Sequence, residues 1–121
     1  MARRVIVAAL LVAVVAPSGG AAILRSGLYG VVRRGPTQPV CRVDEPCSAP
    51  AQVTLVFSRR GHASLRTQSN ADGIYKIRLP AGRYVVRTTE KVFGRIPEPR
   101  AATVPRARFA RIDFSIDTGI R

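Results

Sequence analysis

Cys41 and Cys47, spaced as C-R-V-D-E-P-C, are the first residues of this chain whose types and spacing suggest chemistry. Two thiols can close a disulfide, hold a metal or cycle as a redox pair. A redox pair ordinarily has the C-x-x-C spacing, which is absent here. The usual Cys/His zinc sets cannot be completed within the chain, because only His62 remains to add. The two cysteines are therefore expected to pair, pinning a loop without core contacts of its own. Closing so small a ring stabilises the fold by about 2.4 kcal/mol on the chain-entropy account.

His62 is the single histidine. As a general base it would need a nucleophile and an orienting acid, and no recognisable serine or cysteine motif lies near it. The 7 carboxylates are scattered through turns, with no pair spaced for acid–base work. The expectation is a chain with no catalytic centre, no metal site and no cofactor, in which His62 is an exposed loop residue.

Charge is the remaining chemical resource. The chain has 20 basic and 7 acidic side chains, a formal net charge of +13, and only Lys76 and Lys91 among the basic ones are lysine. Arginine forks bind carboxylate, phosphate and sulfate. Equally, a GC-rich genome encodes arginine where another would encode lysine, and net charge keeps an exported protein soluble. The sequence leaves both readings open.

Placing these residues falls to an export signal and a series of short strands. Arg3 and Arg4 precede an unbroken apolar run at 5–16 and a small-residue segment at 17–22. That order is expected of a secretory signal peptide, a helix cleaved after Ala22 with Gly20 and Ala22 at the −3 and −1 positions. The run is shorter than the ~20 residues that span a bilayer. An uncleaved N-terminal anchor is the alternative. No cysteine stands at the end of the run, within 17–23, to carry a lipid. Residues 23–121 then form one β domain with its core at 27–116, placed outside the cell or in its envelope.

Within that domain, side chains alternate with period two, as strands with one dry face require. Strands are expected at 28–33, 52–58, 63–69, 74–79, 83–88, Ala101–Val104 and 108–116. Val53, Leu55, Phe57, Leu65 and Thr67 face inward, and Arg66 outward. Tyr75, Ile77 and Leu79 face inward, with Lys76 and Arg78 outward; Tyr84, Val86 and Thr88 face inward, with Val85 and Arg87 outward. Ala110, Ile112, Phe114 and Ile116 line the inner face of the last strand. Asp72-Gly73 makes one turn, the glycine tolerating positive φ and the aspartate bonding the backbone ahead. Pro80-Ala81-Gly82 makes the next, where proline cannot continue a ladder. The alternation predicts that 74–79 and 83–88 pair, with Lys76 opposite Arg87 and Arg78 opposite Val85.

The run N-A-D-G-I-Y-K-I-R-L-P-A-G-R-Y at 70–84, preceded by Gly30-Val31-Val32, resembles the signature of carboxypeptidase regulatory-like domains. Asp72, Gly73, Tyr75, Leu79, Pro80, Gly82 and Tyr84 carry the match, which extends over residues 27–116. The resemblance implies an all-β fold, a seven-stranded, transthyretin-like Greek-key β-sandwich related in shape to starch-binding-type carbohydrate modules. It implies no chemistry, because the motif residues are structural. The segment 39–50, with both cysteines, is an insertion that the family pattern lacks. Transthyretin-like hydroxyisourate hydrolases share the architecture but use several histidines.

The function expected is a non-catalytic secreted binding or structural module, its partner a cell-envelope glycan or another secreted protein. Sugar platforms stack on exposed aromatic rings, which makes Tyr29 and Phe93 the candidate glycan contacts. The alternative is a basic face of Arg66, Lys76, Arg78 and Arg87 that binds an anionic wall polymer of the teichoic-acid kind. Like charges directly opposite cost stability unless something compensates them. No nucleic-acid-binding motif is present.

Overall fold

Each alternating strand must bury one face, and two sheets around a shared interior meet that demand together. The computed structural model describes residues 25–121, so the expected signal peptide and its cleavage after Ala22 lie outside the described residues. Among the described residues, all regular structure is β. The strands are β1 (Gly27–Gly35), β2 (Ala49–Pro50), β3 (Thr54–Ser58), β4 (Leu65–Gln68), β5 (Ile74–Arg78), β6 (Gly82–Thr88), β7 (Ala101–Val104), β8 (Phe109–Arg111) and β9 (Phe114–Asp117). No helix among the described residues is long and apolar enough to cross a membrane.

One sheet is four-stranded, in the order β4-β3-β6-β7, all antiparallel. The other has five strands centred on β1. One edge of β1 meets β5 and then β2, both antiparallel. Val32 shows the arrangement: its N–H donates to the Gly73 carbonyl at 2.7 Å, and its carbonyl accepts from Ala51 N–H at 2.9 Å. The opposite edge meets β8 and β9, both parallel. The register holds from Gly27 opposite Phe109 to Gly35 opposite Asp117, so β8 and β9 are one ribbon with a break at Ile112-Asp113.

The interior belongs to both sheets. Leu28, Val32, Tyr75, Phe114 and Ile116 come from the five-stranded sheet and Leu55, Phe57, Tyr84, Val86 and Val104 from the four-stranded one. Phe57 lies across the interior from Tyr75 and Phe114, with ring centroids 6.5 and 6.3 Å away. Fully burying side chains of this size contributes about 1.5–3 kcal/mol each. Thr67 is only half-buried on the edge strand β4, and Leu65 is exposed.

Both glycine turns differ from expectation. The turn between β4 and β5 is organised by Asn70, not Asp72. The Asn70 side-chain oxygen accepts from the N–H groups of Asp72 and Ile74, both at 2.9 Å. Gly73 does take positive φ, 79°. More consequentially, β5 and β6 are not neighbours. β5 pairs β1, β6 pairs β3 and β7, and the chain crosses from one sheet to the other at 79–81. Lys76 is therefore not opposite Arg87, nor Arg78 opposite Val85. The physical reason sits at the crossing. Tyr84, buried, donates its hydroxyl back to the Pro80 carbonyl at 2.7 Å. Arg59 lies over the Tyr84 ring, 5.1 Å from its centroid, and donates to the Ala81 carbonyl at 3.1 Å. At Gly82, with φ 149°, a side chain would strike the Arg59 guanidinium, 2.6 Å away. These contacts turn the chain across the interior rather than back along the same sheet.

Cys41 and Cys47 form a disulfide, with Cα atoms 5.4 Å apart, in the exposed loop that follows β1. A disulfide is what an oxidising, extracellular setting permits. The C-terminal tail caps the same end: Thr118 donates its N–H to the Gly35 carbonyl at 3.1 Å and its hydroxyl to the Pro36 carbonyl at 2.6 Å.

Candidate functional site

The outer face of the five-stranded sheet carries an open groove of about 520 Å³. Its construction follows from the register. Residues directly opposite one another project to the same side of a sheet. Tyr29 on β1 stands between Lys76 on β5 and Arg111 on β8. One step toward the start of β1, Gly27 stands between Arg78 and Phe109. Gly27 has no side chain to fill its place, and the Phe109 ring fills it: a Cβ there would lie 2.5 Å from Phe109 Cε2. Lys76 reaches over that ring, its Nζ 4.9 Å from the centroid. Ile74 and Val31, paired in the next row, complete an apolar floor. Tyr29 and Ile74 are exposed.

The break between β8 and β9 fixes this geometry. Ile112 donates its N–H to the Tyr29 carbonyl at 2.9 Å, but its own carbonyl turns to accept the Tyr75 hydroxyl at 2.6 Å. Val31 N–H donates instead to the Asp113 carboxylate at 2.9 Å. Gly30 makes that approach possible: a Cβ there would collide with the Ile112 carbonyl and lie 2.7 Å from Asp113 Oδ1. The Val31 N–H, with further help from the Arg111 guanidinium 3.2 Å away, holds the Asp113 carboxyl below the usual carboxylate range. Burial, with a smaller contribution from the Asp113 charge, pushes the Tyr75 phenol well above its ordinary value, so it stays a hydrogen-bond donor.

The four expected cationic residues do not share one face. Lys76 and Arg78 lie on the outer face of the five-stranded sheet. Arg66 and Arg87 lie on that of the four-stranded sheet, where both stand opposite Val56, one on each side. Long aliphatic stems on both sides are suited to cover an outward-pointing valine, and Val56 is buried. The two expected aromatic contacts are also apart. Tyr29 is in the groove, whereas Phe93 packs against Gly119, where a Cβ would lie 2.6 Å from Phe93 Cε2. That tail lies beside Gly35, roughly 20 Å along β1 from Tyr29. Phe109 was missed by the sequence reading. Its signal was an aromatic residue on the outward phase of the last strand, shared with Arg111 and Asp113.

His62 is exposed in the turn between β3 and β4, where its backbone N–H donates to the Arg59 carbonyl at 3.2 Å. Among the described residues no group of three or more His, Cys, Asp and Glu side chains is placed to hold a metal ion. No family model, curated protein or solved structure matches the chain.

Proposed function

We propose that this chain is a secreted, non-catalytic β-sandwich module of the carboxypeptidase regulatory-like kind, transthyretin-like and Greek-key in topology, that binds glycan of the cell envelope. The observation that carries this reading is the groove in which Tyr29 and Phe109 lie with Ile74 and Val31 on an exposed sheet face. Pyranose rings present apolar faces that stack on such rings, and the neighbouring polar groups set orientation. The disulfide and the residues of the expected export signal support secretion. The motif residues support the family: Gly73, Tyr75, Leu79, Gly82 and Tyr84 each make a turn or fill the interior, as structural signature residues should.

The test is retention on insoluble envelope and plant glycans by the native protein and by Tyr29→Ala and Phe109→Ala. Retention that both substitutions abolish is expected. A native protein that no glycan retains removes the reading. Mass spectrometry of the exported protein should find a chain starting at residue 23 with both thiols oxidised.

A second reading has its own support. Arg66 and Arg87 flank Val56 on a face whose strands β3, β4, β6 and β7 contain no acidic residue. That row suits an anionic wall polymer. Affinity that does not fall with salt on a log–log plot would dismiss it.

A further inference from the structure

The cations around the groove narrow the ligand beyond glycan in general. We infer that the groove takes a carboxylated sugar, with its ring on Tyr29 and Phe109 and its carboxylate between Lys76 and Arg111. This rests on the glycan reading above and specifies its substrate class.

Three observations carry it. First, the row across the groove is cation, aromatic, cation: Lys76, Tyr29, Arg111. Adjacent strands lie about 4.8 Å apart, so both cations stand within reach of one ring bound over Tyr29. Second, charge on this face is unbalanced. Strands β1, β5 and β8 hold no acidic residue. Asp113, just beyond β8, is already committed to Val31 N–H and Arg111 Nε. Lys76 and Arg78 have no carboxylate partner among the described ion pairs. Third, exposed Lys76 stands over Phe109, its Nζ 4.9 Å from the ring centroid, which places a cation directly beside the apolar floor. An ammonium beside an aromatic platform favours an anionic ring over a neutral one, because it can add a charge-assisted hydrogen bond to the stacking contact. An inorganic polyphosphate offers charge and no apolar ring face, and so would leave Tyr29 and Phe109 unused.

The experiment is calorimetric titration of the purified protein with a galacturonate oligomer, with its neutral galactose counterpart of equal length, and with polyphosphate of matched charge. Galacturonate should bind at least about tenfold tighter than the neutral oligomer, the size of one charge-assisted hydrogen bond. Lys76→Met, which keeps the stem over Phe109, should remove about that tenfold preference and leave the neutral oligomer unaffected. Tyr29→Ala should weaken both sugars. Arg66→Ala with Arg87→Ala should change neither, because those residues lie on the other sheet. Equal affinity for the acidic and neutral oligomers overturns the inference and leaves the glycan platform standing. Polyphosphate binding as tight as galacturonate, and indifferent to Tyr29→Ala, overturns both in favour of a simple anion surface. Absence of binding to all three overturns the inference; the retention assay above then decides the platform.

Discussion

Across the four-stranded sheet, Arg66, Val56 and Arg87 stand in one outward row; across the five-stranded sheet, Lys76, Tyr29 and Arg111 do the same. Both rows are cation, apolar residue, cation. Yet Val56 is 5% exposed and Tyr29 is 41% exposed. The central side chain is one cause, since a valine is low enough for flanking stems to cover and a tyrosine is not. The neighbouring position is the other. Next to Tyr29 on the same face is Gly27, whose missing side chain admits Phe109. Next to Val56 are Thr54 and Ser58, each with a side chain where Gly27 has none. The same charge pattern thus closes over one sheet and opens a groove on the other.

The largest effect on this contrast is expected from Gly30→Ala. The new Cβ meets the Ile112 carbonyl, which cannot move without releasing the Tyr75 hydroxyl. Overpacking against backbone of this kind costs about 1–3 kcal/mol, and the upper end is expected here. Urea unfolding would measure it, and groove binding should fall with it while the four-stranded face is unaffected. A change under about 0.5 kcal/mol would mean that the last strand is not pinned where it is described.

The two buried tyrosines give the next contrast. Tyr75→Phe strands the Ile112 carbonyl across a long-range contact, for an expected loss of about 2 kcal/mol. Tyr84→Phe breaks a bond to Pro80, only four residues back, where solvent can replace it, for about 1 kcal/mol. Reversal of that order in thermal or urea unfolding would place the stress on the crossing turn rather than on the groove.

A smaller effect is tied to pH. The Asp113 pKa is depressed in the folded protein, chiefly by Val31 N–H. Its stabilisation is therefore fully present above the ordinary carboxylate pKa, about 3.9. It is lost as pH falls through the lower folded value. The carboxylate is half-exposed, so the loss should stay below about 1 kcal/mol. Asp113→Asn keeps an oxygen for Val31 and should flatten that part of the acid limb. An acid limb identical in the two proteins would show that Asp113 does not couple the break to the sheet.

Smallest of all, Arg66→Gln and Arg87→Gln are expected to shift stability by no more than about 0.5 kcal/mol. A larger gain would show that the like charges beside Val56 strain the sheet and need a bound anion.

What the chain determined unaided was which side of the strands is dry, β4 excepted, where Leu65 is exposed at the sheet edge. Tyr75, Leu79, Tyr84, Val86, Phe57 and Phe114 are buried as their alternation requires, because a period-two pattern records burial directly. The positive φ of Gly73, the edge strand Ala101–Val104 and the cysteine pairing were legible for similarly local reasons, whereas Pro80-Ala81-Gly82 marks a turn without showing that it crosses between the sheets. Which strand lies beside which was decided only in three dimensions. Facing Tyr84 across the interior and pairing with it along a sheet bury the same residues of β5, so periodicity cannot tell the two apart. Contacts far apart in sequence made the choice: Arg59 on Ala81, Ser26 on Leu79 and Tyr75 on Ile112. The groove followed from that choice, since Phe109 reaches Tyr29 only because the last strand runs parallel to β1, beside a glycine.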